Sequence, residues 1–389
     1  MEQRWICGDF MTGDYICDLP VLGESSWASA LNDVGRVEVQ VSAADPKVRR
    51  LGLDKLLVPW RTYIGVVYDD VIMQAGPVTT SFYDHDTGRY QISAVGAAGY
   101  FARRRVLPVS AATEPLYDYP NKRPNPGVAQ ALNGSYRNIV NSMLTTLMAW
   151  PGGAPSLTFR PSDPGGTYTR TYLGTELKEF WEAITDITDV ENGIDVMVRP
   201  QWVDTAQVKV RWMVDTGTLA KPLLAGGPVV WDTTRPNVNL SKLKVTSDGT
   251  NITTRVWVTG GRDSDQPLYA TAQNTELINA GMPLLETVDS LHTSVSDQAT
   301  LNAWAADHLA AHARPVVTCD FEVRGDGNPK VTDWQVGDWV ELITDGIPHL
   351  DDGVNQMRIL GRTGSASDMQ IGVTVAPVRG QDAWLSEDQ

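Results

Sequence analysis

The sequence predicts a mainly β fold with an α+β insert, in which two barrel-like β domains flank a mixed middle section. Three observations carry that reading. Apolar residues alternate with period two through residues 1–110, a proline-rich stretch then interrupts the chain, and helical periodicity dominates only the middle before β character returns near residue 237.

Period two is the mark of strands buried on one face. The stretch SALNDVGRVEVQVSA, residues 29–43, states it most plainly. A turn carrying Asn32, Asp33 and Gly35 leads into Val37, Val39 and Val41, which alternate with Arg36, Glu38 and Gln40. One side of that strand should pack a core, and the other should face something polar. Strands over 63–68 and 71–78 join across Asp69 and Asp70, and strands over 79–83 and 89–95 join across the turn 84–88, which predicts two hairpins. A meander of about five strands that closes on itself would remove unpaired edges.

Four prolines in EPLYDYPNKRPNPG exclude both helix and central strand, so residues 111–130 read as a linker. The middle section, 131–235, switches to a helical period. Ile139, Val140, Met143, Leu144 and Leu147 share one face of a helix over 135–147 that stops at Trp150-Pro151-Gly152-Gly153. Leu177, Phe180, Trp181, Ile184 and Ile187 share a face of a second helix over 176–189; Asn192-Gly193 then turns into a strand over 194–200, with another over 208–214. The last region, 236–380, should hold strands over 239–245, 251–259, 316–323, 334–342, 356–360 and 369–376 and one helix over 297–313, leaving 381–389 as a C-terminal tail.

At 389 residues there is room for two or three domains, and 42% hydrophobic residues with 13 Trp describe a folded chain. The 47 acidic side chains outnumber the 32 basic ones, a formal net charge of -15, so the average surface repels phosphate and disfavours nonspecific nucleic-acid binding. Cys7, Cys17 and Cys319 are odd in number and lack CxxC spacing, which predicts free thiols and folding in a reducing cytoplasm. The N-terminus MEQRWICGDFMTGDY has no apolar leader core, and no run of about 18 apolar residues predicts a membrane span.

No segment matches the phosphate-binding, dinucleotide-binding, nucleophile-elbow or HExxH motifs, which argues against an enzyme. His308 and His312, four apart on a predicted helix beside Asp307, have the spacing of a metal pair, but equally that of a helix edge near a C-terminus. Asp186, Asp189, Glu191 and Asp195 miss the calcium-loop register because Ile194 stands where glycine is needed, and read as a solvated acidic face. Asp84-His85-Asp86, and Asp351-Asp352-Gly353 beside His349, are compositions that turns require. Arg324-Gly325-Asp326 reads as a hairpin loop, and Arg103-Arg104-Arg105 could meet a phosphate or form salt bridges. No catalytic, cofactor-binding or metal residue is therefore assigned, and no cofactor is expected. Trp181, Trp212, Trp257, Trp304 and Trp339 fall within predicted elements and read as core, whereas Trp27, Trp60 and Trp231 are freer to line a sugar platform.

The ordered stretches LNDVGRVEVQV and VVYDDVIMQAGPVTTSFYDHDTGRYQISAVGAAGYFARR resemble the N-terminal barrel of minor tail proteins from long-tailed phages of actinobacteria, relatives of the central baseplate hub (tail-associated) proteins. TELKEFWEAITDITDVENGIDV, NVNLSKLKVTSDGTNITTRVWVTG, QATLNAWAADHLAAHARP and DWQVGDWVEL followed by MRILGRTGSASDMQIGVTVAP extend the resemblance in order, from Trp27 to Pro377. The chain stops at Gln389 with no appended hydrolase domain or fibre, which further disfavours enzymatic activity. The resemblance implies a phage tail hub architecture: a homotrimer whose two barrel-like hub domains per chain form a pseudo-sixfold ring. It would sit at the virion tail tip after synthesis in the host bacterial cytoplasm. Its partners would be distal tail, minor tail and tape measure proteins, and DNA would pass its channel without specific binding. The face of Arg36, Glu38 and Gln40 would then meet a neighbouring subunit or the channel. The alternative from another class is a carbohydrate-binding or carbohydrate-degrading tail protein acting on the host surface.

Overall fold

The computed structural model describes residues 1–190, 193–263, 266–290 and 297–377. Strands hold 42% of the chain and helices 18%, a mainly β fold. The alternating stretch folds as its pattern requires: strand Arg36–Ser42 buries Val37, Val39 and Val41 and exposes Arg36 and Glu38. Its antiparallel neighbours are Ser26–Ala30 and Arg89–Val95.

Both expected hairpins are present, but one 14-residue strand, Val71–Asp84, serves both. Its first half pairs with Thr62–Tyr68 and its second with Arg89–Val95, with a register shift between Val78 and Thr80 where it changes partner. Thr62–Tyr68 is buried at all seven positions because this sheet carries a core on each face. Ile64, Val66 and Tyr68 join Trp5, Trp27 and Met73 on one side, and Tyr63 and Val67 join Ile6, Phe10 and the middle section on the other.

The two β regions are one hydrogen-bonded sheet of 13 strands. Strand Ser26–Ala30 takes Gly353–Ser365 as its other neighbour, with Ala28 opposite Thr363. The sheet edge that a closed meander would have removed is thus covered by the far end of the chain. Trp27, Val37 and Val39 accordingly share a single core with Trp231, Phe321, Trp334 and Ile359.

In the middle, helix Tyr136–Met148 is capped by the Ser135 hydroxyl, which accepts from the Asn138 N–H at 3.2 Å, and it buries the five apolar residues that define its face. The second helix begins only at Phe180, because Leu177 adopts a left-handed φ of 49° after a short 3-10 turn. Leu177 is therefore exposed instead of lying on the apolar face. Both helices pack against a small sheet of Leu157–Phe159, Val210–Thr216 and Val196–Trp202.

Between the paired strands Ser241–Asp248 and Val316–Arg324 lies a subdomain with its own core. Helix Gln298–Ala311 covers one face of a sheet formed by Gln266–Gln273, Arg255–Asp263 and Glu286–Asp289, placing Leu301, Ala305 and Leu309 against Val256, Val258 and Ala270. Strand Trp339–Thr344 pairs with Gly353–Ser365 and with Val229–Asp232, away from Val316–Arg324, so the Arg324–Asp326 loop is a connection across the sheet and no hairpin. Among the described residues no helix is long and apolar enough to cross a membrane. Glu191, Asn192 and the tail 381–389 lie outside the described residues.

Candidate functional site

The most heavily built polar feature is a buried seam where three regions of the chain meet. Asp195, at the entry to strand Val196–Trp202, accepts hydrogen bonds from Arg358 Nη2, from Asn32 Nδ2 at 3.2 Å and from the Leu224 N–H at 2.7 Å. The Asp195 and Arg358 side chains are 6% and 5% exposed. Arg358 Nε donates to the Gly337 carbonyl at 2.7 Å, and Asn32 Oδ1 accepts from the Val196 N–H at 2.9 Å. Asn32 can do both because it sits in the left-handed turn, at φ 54°, that the sequence marked as preceding the alternating strand. The acidic group containing Asp186 and Asp189 is therefore not one solvated face: Asp186 pairs with Lys178 at 2.9 Å on the surface, while Asp195 is a buried counter-ion.

Four residues further along the same strand, past a bulge between Ile359 and Gly361 that flips the alternation, Arg362 is buried on the face of Met357 and Ile359. Its guanidinium carbon lies 5.6 Å from the ring centre of Trp27 and 5.7 Å from that of Trp334. Its nitrogens donate to the carbonyls of Trp334 at 3.3 Å and Met73 at 3.4 Å. Burial, with Arg199 nearby, pulls its pKa down to about 10, and the two indole faces and the carbonyls stand in for the lost water. Trp27 and Trp231, which the sequence left free, are core residues at 1% exposure, and only Trp60 of the three reaches the surface.

Arg199 completes the seam. It donates to Gln335 Oε1 at 2.5 Å and to the Val336 carbonyl at 2.8 Å, and pairs with Asp215 at 3.6 Å, which also holds Arg160 at 2.6 Å. Desolvation lowers the Arg199 pKa, and Asp215 opposes that shift. The charged groups Asp195, Arg358, Arg199 and Asp215 are all paired within the protein, whereas Arg362 Nε is buried with no hydrogen-bond partner among the described residues. The chemistry available is positioning, with N-terminal sheet, middle section and C-terminal strands fastened in one geometry.

The remaining sequence candidates have local roles. Asp84 caps its own turn by accepting from Thr87 Oγ1 at 2.7 Å and the Asp86 N–H at 2.9 Å. Asp352 accepts from the Gly346 N–H at 2.7 Å beside His349, whose φ is 69°. Arg324 is paired with Asp326 at 2.9 Å. Arg103 lies 5.9 Å over the Trp60 ring, Arg104 bonds to the Tyr100 hydroxyl, and Arg105 pairs with Glu179 at 4.0 Å. His308 and His312 stack with ring centres 4.2 Å apart, and His312 Nδ1 lies 2.8 Å from the His308 carbonyl. Among the described residues no group of three or more His, Cys, Asp or Glu could hold a metal ion.

Two of the open surfaces among the described residues bear on function. The first is the outward face of the shared sheet, where a shallow groove of about 450 Å³ is lined by Ala28, Ala30, Lys242, Lys244, Gly361 and Gly372. Directly paired residues share a face, so Arg36, opposite Ala28, and Glu38, opposite Ser26, point to this same side. The second is the uncovered face of the subdomain sheet, where Trp257 lies beside Val288 and Thr271, and Tyr269 and Val288 are each 64% exposed. Trp257 Nε1 donates to Glu286 at 2.9 Å, and Arg255 sits 5.8 Å from its ring centre.

No protein-family model and no curated relative matches the sequence. Solved structures do. A tail protein from Neisseria meningitidis shares 15% identity at a TM-score of 0.55, over 97% of both chains. The 43 kDa tail protein of prophage MuSo2 from Shewanella oneidensis shares 11% identity at a TM-score of 0.56, over 96% of this chain and 98% of its own. Prophage tail protein gp18 from Listeria monocytogenes shares 13% identity at a TM-score of 0.51, over 97% of this chain and 95% of its own. At these identities the likeness establishes a shared fold.

Proposed function

We propose that this chain is a structural component of a phage tail tip, acting without catalysis as a trimeric central hub. Three copies, each supplying two β regions, would form a pseudo-sixfold ring that joins the tail tube or distal tail ring to threefold tip proteins around the DNA channel. The observation that carries this reading is fold likeness along the full length of the chain, covering 97% of both partners in the Neisseria meningitidis tail protein. The order of resembling sequence stretches, from Trp27 to Pro377, supports the same reading and the assignment to long-tailed phages of actinobacteria. Residues 1–110 and 236–380 would be the two hub domains, 111–130 a linker and 131–235 the middle section, with the seam fixing their relation. The net charge of -15 favours a channel past which DNA slides without sticking, because like charges repel.

The test is light-scattering mass of the purified chain over a concentration series, with negative-stain images of the same fractions. Threefold rings with a central hole are expected. A monomer at every concentration, both alone and mixed with its tail-ring neighbours, would overturn the hub. If that monomer also bound glycan through the face of Trp257 and Tyr269, the carbohydrate-binding alternative would take its place.

A further inference from the structure

Cys7 and Cys17 stand directly opposite each other on the antiparallel strands Gln3–Asp9 and Tyr15–Asp18, and both are free thiols. Paired Cα atoms on antiparallel strands are about 4.5 to 5.5 Å apart, inside the window of roughly 4.4 to 6.8 Å that disulfides span. Opposite Cβ atoms lie about 4.5 to 5.5 Å apart where a disulfide needs roughly 3.5 to 4.5 Å, so the strands must draw together by about an ångström. The site allows that movement. Tyr15–Asp18 is the terminal strand of the 13-stranded sheet and pairs with no other described strand; its start is tied by the Tyr15 N–H to the Val208 carbonyl at 2.9 Å, two residues before Cys17, and the register already shifts between Cys7 and Gly8.

We propose that Cys7 and Cys17 are a modification site, a thiol pair that closes to an intramolecular disulfide when the folded protein meets a low-molecular-weight disulfide. The half-buried Cys17 thiolate attacks the small disulfide, forms a mixed disulfide and releases one small thiolate. The buried Cys7 sulfur then attacks the Cys17 sulfur, its proton leaving with the second small thiolate. Two protein thiols are oxidised and one small disulfide is reduced to two thiols. The order follows from the environment: the hydrogen bond between the two sulfurs lowers the Cys17 pKa and raises that of Cys7, and only Cys17 reaches the surface. The bond would staple the sheet's last strand. It does not depend on the oligomeric state of the chain.

The test treats the native protein with oxidised glutathione, removes it, unfolds the chain and alkylates the thiols that remain. Cys319, buried far along the chain with its pKa pushed up to about 11 by burial, is the internal control. One alkyl adduct, on Cys319, with a cross-linked peptide joining Cys7 to Cys17, is the expected result, against three adducts before oxidation. Cys17→Ser should give two adducts before and after treatment. Three adducts after prolonged oxidation, a glutathione adduct that persists on Cys17, or a covalent dimer would each overturn the proposal. Circular dichroism of Cys17→Ser and Cys17→Ala confirms that the variants fold.

Discussion

Replacing Asp195 with alanine should cost about 3 to 5 kcal/mol, because breaking one member of a buried ion pair strands the other charge. The carboxylate is 6% exposed and takes three hydrogen bonds, from Arg358, Asn32 and the Leu224 N–H. Without it the Arg358 guanidinium, 5% exposed, keeps the Gly337 carbonyl but loses its counter-ion. Arg358→Met should cost a similar amount for the converse reason. Apolar replacement of both partners removes the desolvation penalty along with the attraction, so Asp195→Leu combined with Arg358→Met should be far less destabilising than the sum of the single changes. Against a total stability of about 5 to 15 kcal/mol each single loss is large. Urea unfolding followed by tryptophan fluorescence, with the denaturant slope held constant across variants, measures all four corners of the cycle. Single costs below about 1 kcal/mol, or additivity within about 0.5 kcal/mol, would refute the seam as a coupled unit.

Val39→Ala should lower stability by about 2 kcal/mol through lost apolar burial and a residual cavity, whereas Glu38→Ala on the exposed side should change it by no more than about 0.5 kcal/mol; thermal unfolding of the two variants compares the faces of one strand. The carboxyls of Asp84, Asp232 and Asp248 are held below the ordinary aspartate range chiefly by hydrogen bonds from Thr87, Thr234 and Thr250. Their folded pKa values lie below the unfolded ones, so their contribution is complete above about pH 5 and is lost as pH falls through the folded values. The urea midpoint should be flat from about pH 5 to 7 and fall below about pH 4; a midpoint that rises on acidification would contradict the sign.

Much of the fold was legible because it is written in short-range pattern. Alternation placed Val37, Val39 and Val41 inward, and helical spacing placed Ile139, Val140, Met143, Leu144 and Leu147 inward. Leu177 broke the pattern because its left-handed backbone ends one turn before the next begins, a tertiary choice that overrides periodicity. What local pattern cannot carry is the identity of a strand's partner. Pairing of Ser26–Ala30 with Gly353–Ser365 joins residues more than 300 positions apart, and from it follow the burial of Trp27 and the enclosure of Arg362. Asp195 was misread for the same reason: nothing around it in sequence announces that Arg358 will arrive. A faint signal existed in Asn32, a residue type that favours left-handed turns, though its reach to Val196 and Asp195 is again long-range.

The shared sheet bears directly on the proposed role. A ring subunit that must present two β regions to its neighbours in a fixed relation could join them by a linker or by a sheet, and the two solutions differ in stiffness. Here a hinge between the regions would have to break the ladder between Ser26–Ala30 and Gly353–Ser365, part Arg362 from Trp27, and pull Arg358 from Asp195. Each step exposes a buried charge or a row of paired backbone groups, and the costs fall together because Trp27, Trp334 and Ile359 around them share one core. Rearrangement within such a subunit is therefore costly. A hub built from this chain would open or close its channel by shifting whole subunits or the proteins docked on them, with each copy moving as one body.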